Sequence, residues 1–220
     1  MARARTVKRV GVLRGAGRSA SVGSGRSATI TRKTKETAIE LSLNVDGSGR
    51  YDIRTGVPFL NHMLELFTRH GFFDLTIRAT GDVEVDDHHT VEDVGLALGQ
   101  AFRQALGPKA GIRRFGEAAV PLDEALIQVV VDLSGRPFLA YDLKTKQGRI
   151  GAFDVELIHD FLLALVNETG MNLHVRMLAG RNPHHIVEAA FKGLARALDL
   201  ATQRDPRVRG VLSTKGTLSG

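Results

Sequence analysis

Two stretches of this chain, "DDHHTVEDVGLAL" (residues 86–98) and "NPHHIVEAAFKGL" (residues 182–194), carry the same pattern: adjacent histidines, then a glutamate three positions after the second. The repetition extends outward. In the first half, "AIELSLNV" (38–45) puts Ile39, Leu41, Leu43 and Val45 on one strand face, "DGSG" supplies a turn, and "RYDIRT" a second strand. "PFLNHMLELFTRHG" follows as a helix with a stripe of Phe59, Leu60, Met63, Leu64 and Phe67. After it, "FDLTIRATG" reads as a strand. A helix then runs from His88 to about Leu106, with Asp87 as its N-cap and "GP" (107–108) as its stop. The second half repeats the order with "ALIQVVVDL", "SGRP", "FLAYDL", the helix "DVELIHDFLLALVNETG", the strand "LHVRMLAG" and a last helix capped by Asn182 with Pro183 in its first turn.

A unit near 90 residues long is too large for a solenoid repeat and points to two pseudo-symmetric halves. The expected class is α+β, with internally duplicated ββαβα halves and helices on one face of each antiparallel sheet. The body spans residues 31–220, as pseudo-repeats of about 31–118 and 119–205 and a C-terminal segment, 206–220.

Charge separates the body from its leader. The formal charge of the 220 residues is +6, but residues 1–33 hold nine Lys and Arg and no acid; without them 21 basic residues face 24 acidic ones, a net of −3. Residues 1–30 are rich in Arg, Gly and Ser and read as a basic, disordered extension, resembling either an organellar transit peptide or an extended bacterial start. An acidic body argues against nucleic acid as a partner, although a nucleic-acid-binding tail is the rival reading. No run of about 18 apolar residues supports a membrane span. The chain has no Cys, so any metal must be held by nitrogen and oxygen.

Metal is the chemistry that the double histidines suggest. A helix turns about 100° per residue, so His88 and His89 diverge while Glu92 falls between them; His184, His185 and Glu188 repeat the arrangement. One imidazole can share an ion with the carboxylate while its neighbour reaches a different ion. First-row metals need three or more ligands, and His62 is the candidate third ligand of the first half. In the second half the stripe Leu157, Ile158, Phe161, Leu162 and Leu165 matches the earlier one at an offset of 98, which sets Asp160 opposite His62 and leaves His159 as its rival. His70 and His174 read as structural.

These residues carry a resemblance. "TKET", "PFLNHMLELFTRHGFFDL", "GDVEVDDHHTVEDVGLALGQA", "DLSGRP", "LHVRMLAGRNPHHIVEAAFKGLARAL" and "STKGTL" together resemble the imidazoleglycerol-phosphate dehydratase family of histidine biosynthesis, from about Arg32 to Leu218. The resemblance implies a duplicated fold like the second domain of ribosomal protein S5, with helices packed between two sheets. It also implies a cytoplasmic hydro-lyase that converts D-erythro-imidazole-glycerol phosphate to imidazole-acetol phosphate, with two manganese ions per active site. The assembly it implies is a homo-oligomer of 24 subunits built from trimers, with sites between subunits. By position, His62, His88, His89, Glu92, His184, His185 and Glu188 become metal ligands, with Asp160 where the family has His or Glu. Arg114, Arg136, Lys192, Ser213 and Lys215 become the phosphate grip, and Glu36 the acid/base group. Asn61 stands where Asp is usual. Read without the family, the same ligands and cations would also suit a dimetal phosphoester hydrolase.

Overall fold

The computed structural model describes residues 25–145 and 148–218, so residues 1–24 of the expected extension lie outside it. The first half comprises β1 (Ser27–Lys33), β2 (Thr37–Asn44), β3 (Tyr51–Arg54), α1 (Pro58–Gly71), β4 (Asp74–Gly81) and α2 (His88–Leu106). The second comprises β5 (Phe115–Leu122), β6 (Ala125–Asp132), β7 (Phe138–Asp142), the short pair β8 (Arg149–Ile150) and β9 (Phe153–Asp154), α3 (Leu157–Thr169), β10 (Asn172–Ala179) and α4 (Pro183–Thr202).

Duplication holds at the level of topology. The sheets run β1-β2-β4-β3 and β5-β6-β10-β7. In each, the first three strands pair antiparallel with their neighbours and the last pairs parallel to its neighbour. Alternation works as expected in β2, where Ile39, Leu41 and Leu43 are buried while Ala38, Glu40 and Ser42 are exposed. The helical stripes are likewise buried at Leu60, Met63, Leu64 and Phe67 and at Ile158, Phe161, Leu162 and Leu165. Phe59 is only partly buried and rests against the core.

Each four-stranded sheet has one strand more than its sequence suggests, in both cases at a sheet edge, and the short pair β8–β9 is a further addition to the second half. The boundary of the extension at residue 30 is corrected by β1, which starts at Ser27 and pairs with β2 from Ser27↔Asn44 to Lys33↔Ala38. Only Ile30 of β1 is buried, so a period-two signal could not form. Arg32 donates to Asp93 on α2 at 2.8 Å, tying the strand to the helix layer. In β5 only Gly116 is buried and Pro121 interrupts the pattern; proline is tolerated there because an edge strand leaves one row of N–H groups unpaired.

The helices lie between the sheets and pack across the halves, α2 against α3 and α1 against α4. Close approach explains two glycines. A Cβ on Gly95 would stand 2.7 Å from the Phe161 carbonyl oxygen, and one on Gly99 would stand 2.7 Å from that of Leu165. Gly99→Ala should therefore push α3 off α2 and cost about 1–3 kcal/mol, as overpacked cores do. A chemical-denaturation midpoint unchanged from wild type would refute the close-packing argument.

Helix starts differ in one respect from expectation. Asn182 caps α4 by accepting from the His184 N–H at 3.0 Å, with Pro183 in the first turn. Asp87 does not cap α2, because its own backbone is already helical (φ −82°, ψ −6°). Asp86 accepts from the His88 N–H instead, at 2.8 Å.

Candidate active site

The two double-histidine motifs open α2 and α4, and the cross-half packing decides what they meet. His62 of α1 does not join His88. Its Nε2 lies 3.5 Å from Glu188 Oε2, which is also 3.2 Å from His184 Nε2. Donor atoms of His62, His184 and Glu188 all fall within 4.8 Å of one another. The pseudo-symmetric partner cluster lies between α2 and α3: His88 Nε2 is 3.8 Å from Glu92 Oε2, and His88 Nδ1 is 3.6 Å from Asp160 Oδ2. Each cluster thus takes its HHxxE pair from one half and its third member from the other. The pairing of His62 with the first-half motif is corrected accordingly.

Of the two rivals on α3, Asp160 is the one that faces His88. His159 lies to the side, its ring edge-on to Tyr141 at 5.2 Å and its Nδ1 3.2 Å from Asp160. Burial, with the Asp160 charge nearby, pushes the Tyr141 hydroxyl up to about 12.

Glu188 is the more enclosed carboxylate. Burial works to raise its pKa, but the Lys192 ammonium, 2.7 Å from Oε1, together with His62 and His184, outweighs burial and leaves it below the ordinary value. Its two oxygens are therefore divided, Oε1 on the lysine and Oε2 toward the imidazoles. Phe59 stands edge-on to His184 at 5.4 Å and closes that side.

The outer histidines point elsewhere. His89 Nδ1 donates to Asp82 at 3.0 Å, and Glu36 Oε1 lies 4.0 Å from its Nε2. Glu36 sits in the turn between β1 and β2; Thr34 Oγ1 accepts from its N–H at 3.1 Å, and its carbonyl accepts from the Asp82 N–H at 3.1 Å. His185 Nδ1 donates to Glu124 at 2.8 Å. These bonds raise the pKa of both imidazoles, and His185, ahead of the Asn182 N–H, holds the Glu124 carboxyl at about 2. Asp82 and Glu124 were not foreseen from the motifs. His70 and His174 stay outside: burial, then Lys192 and Arg196, lowers the pKa of His70, and His174 packs near Phe138 on the second sheet.

Four of the five expected phosphate-binding residues line one cleft of about 1880 Å³: Arg114, Arg136, Ser213 and Lys215. The C-terminal segment builds its wall by returning along 110–114, with Gly111 N–H donating to Gly210 O at 2.8 Å and Arg113 N–H to Gln203 O at 2.9 Å. Arg114 adopts a left-handed backbone (φ +71°), a conformation that costs a side chain on the order of 1 kcal/mol. Asp132 holds its guanidinium through bonds of 2.7 and 3.0 Å. Lys192 is not in the cleft; it stands beside the His62–His184–Glu188 cluster. No histidine lines the cleft among the described residues.

A duplicated α+β body carries two imidazole–carboxylate clusters, whose donor types suit acid–base or metal-ligating chemistry, and a cleft lined by arginine and lysine that suits an anion. Comparison with known proteins gives the family. The sequence profile described as imidazoleglycerol-phosphate dehydratase matches residues 55–198. The imidazoleglycerol-phosphate dehydratases of Geobacter sulfurreducens and of a Geobacillus species are 58% and 59% identical to the chain over 193 residues, covering 88% of it and 99% of each relative. The crystal structure of the Staphylococcus aureus enzyme superposes with a TM-score of 0.74 at 37% identity, over 81% of this chain and 99% of that one. A Pyrococcus furiosus structure gives 0.74 at 39%, over 86% and 99%. The chain belongs to the imidazoleglycerol-phosphate dehydratase family and is a hydro-lyase of histidine biosynthesis. No described helix is long and apolar enough to cross a membrane.

Proposed function

We propose that this dehydratase works on imidazole-glycerol phosphate with two divalent cations, manganese by family resemblance. Their ligands are His62, His88, His89, Glu92, Asp160, His184, His185 and Glu188. The observation that carries this reading is the His62–His184–Glu188 cluster, which brings donor atoms from opposite halves of the chain within 4.8 Å of one another, with His88, Glu92 and Asp160 as its pseudo-symmetric counterpart. The donor set fits such ions: nitrogen and oxygen without thiolate, with three donor atoms grouped closely enough in the α1–α4 cluster to serve one ion. Bound there, the cations would supply Lewis acidity toward the substrate's imidazole and its leaving hydroxyl.

The chain's own residues do the rest. Dehydration removes a hydrogen from one carbon of the glycerol chain and a hydroxyl from its neighbour; the enol so formed becomes the ketone. Glu36, 54% exposed and 4.0 Å from His89, would take and return the proton. Arg114, Arg136, Ser213 and Lys215 would hold the phosphate with guanidinium, hydroxyl and ammonium donors, and Lys192 would approach it from the cluster side. Holding that end fixes the reacting carbons relative to Glu36.

Among the described residues of one protomer no histidine lines the anion-binding cleft, and the Nε2 atoms of His89 and His185 join neither cluster. Both facts favour sites completed by neighbouring subunits, in a cytoplasmic assembly of trimers such as the 24-subunit shell that the resemblance implies. Elemental analysis of purified protein, with its mass in solution, tests this. Roughly two ions per chain in a large oligomer are expected, with activity lost on chelation and restored by Mn²⁺. A monomer that keeps full turnover after exhaustive chelation would defeat it.

A further inference from the structure

The duplication assigns Glu124 a history. Strands β2 and β6 begin at Thr37 and Ala125, each directly after a glutamate, so Glu124 is the second-half counterpart of Glu36. Both lie against an outer histidine, but differently. Glu36 is on the Nε2 side of His89 at 4.0 Å, whereas Glu124 bonds Nδ1 of His185 at 2.8 Å. In the first half the Nδ1 side is already taken by Asp82, the residue after β4. The residue after β10 is Gly180, where an added Cβ would stand 2.7 Å from Ile186 Cγ1, so a carboxylate there would have to displace that side chain. Each outer ring therefore has a carboxylate bonded at Nδ1 and a more distant one on the Nε2 side, Glu36 at 4.0 Å from His89 and Asp123 at 3.9 Å from His185.

We propose that Asp82 and Glu124 are positioning residues for His89 and His185: each carboxylate fixes the proton on Nδ1 and so leaves the Nε2 lone pair facing out as the ligating atom. A neutral imidazole carries one N–H; an ionised carboxylate can only accept, so the nitrogen beside it keeps the proton. Among the described residues neither Nε2 has a carboxylate within hydrogen-bond distance, the nearest being Glu36 at 4.0 Å and Asp123 at 3.9 Å. Glu124 is anchored in turn, since its other oxygen accepts from the N–H groups of Asn182 at 2.7 Å and Arg181 at 3.2 Å. The loop before β6 thereby sets the ring angle at the start of α4. This assignment deepens the dimetal reading and rests on it.

Titrating metal-free full-length protein with Mn²⁺ alone, and counting free Mn²⁺ by electron paramagnetic resonance, tests it. Asp82→Asn and Glu124→Gln should each weaken Mn²⁺ binding by about 10–100-fold while the circular dichroism spectrum stays that of wild type. His89→Ala and His185→Ala serve as references. If both references weaken binding while the Asp82→Asn isotherm overlays wild type, the positioning role is wrong and the dimetal reading survives. If wild type itself binds no Mn²⁺, both fall. Glu124→Gln also disturbs two backbone contacts, so should it melt early, Asp82→Asn decides; the Asp82 carboxylate bonds only His89 among the described residues.

Discussion

Replacing Glu36 by Gln should reduce turnover by about 10²–10⁴-fold, the usual contribution of a positioned acid–base group, while Mn²⁺ affinity and the Michaelis constant stay near wild type. The substitution is nearly isosteric, and the turn that carries Glu36 is held by its backbone, through Thr34 Oγ1 and Asp82. Its carboxylate makes no hydrogen bond within the protomer among the described residues, so little folding stability depends on it. Steady-state kinetics alongside metal analysis separate the outcomes. A variant with wild-type turnover would remove Glu36 from the proton-transfer role, and one that lost metal would reassign it as a ligand.

His184→Ala should lower bound metal from roughly two ions per chain toward one and cut turnover by on the order of 10³-fold, since a Lewis acid typically supplies several kcal/mol to such a step. His184 is the imidazole nearest Glu188, at 3.2 Å, and its ring is 5.9 Å from that of His62. Its side chain is 40% exposed, so the metal-free variant should lose no more than about 1 kcal/mol of stability. Inductively coupled plasma analysis and thermal melts of the metal-free protein distinguish the two. Unchanged metal content would exclude His184 as a ligand, whereas a large drop in the metal-free melting temperature would make it a structural residue.

Much of this arrangement can be read from the chain. The stripes on α1 and α3 are buried where the 3.6-residue period places them, and matching those stripes puts Asp160, rather than His159, at the position equivalent to His62. What cannot be read is which helix meets which. Periodicity describes one element at a time, and the crossing of α1 onto α4 and α3 onto α2 depends on sheet twist and on small residues such as Gly95 and Gly99. Pairing His62 with His88 by proximity in sequence therefore failed. Edge strands escaped for a different reason: β1 and β5 each bury a single residue, Ile30 and Gly116, too few to make a pattern. Asp82 and Glu124 escaped because a lone carboxylate beside a strand looks like surface, although the repeat itself marks Glu124, once the strands rather than the helices are aligned.

The crossed helices bear on origins. Neither half of the gene spells out a finished ion-binding cluster, because each takes its lone α1-type or α3-type member from one repeat and its HHxxE pair from the other. A forebear half as long, with the same motifs, would have needed a twin before either cluster could close. Fusion would then have joined the twins and freed their sequences to drift apart, which fits a chain that keeps histidine at position 62 and aspartate at position 160.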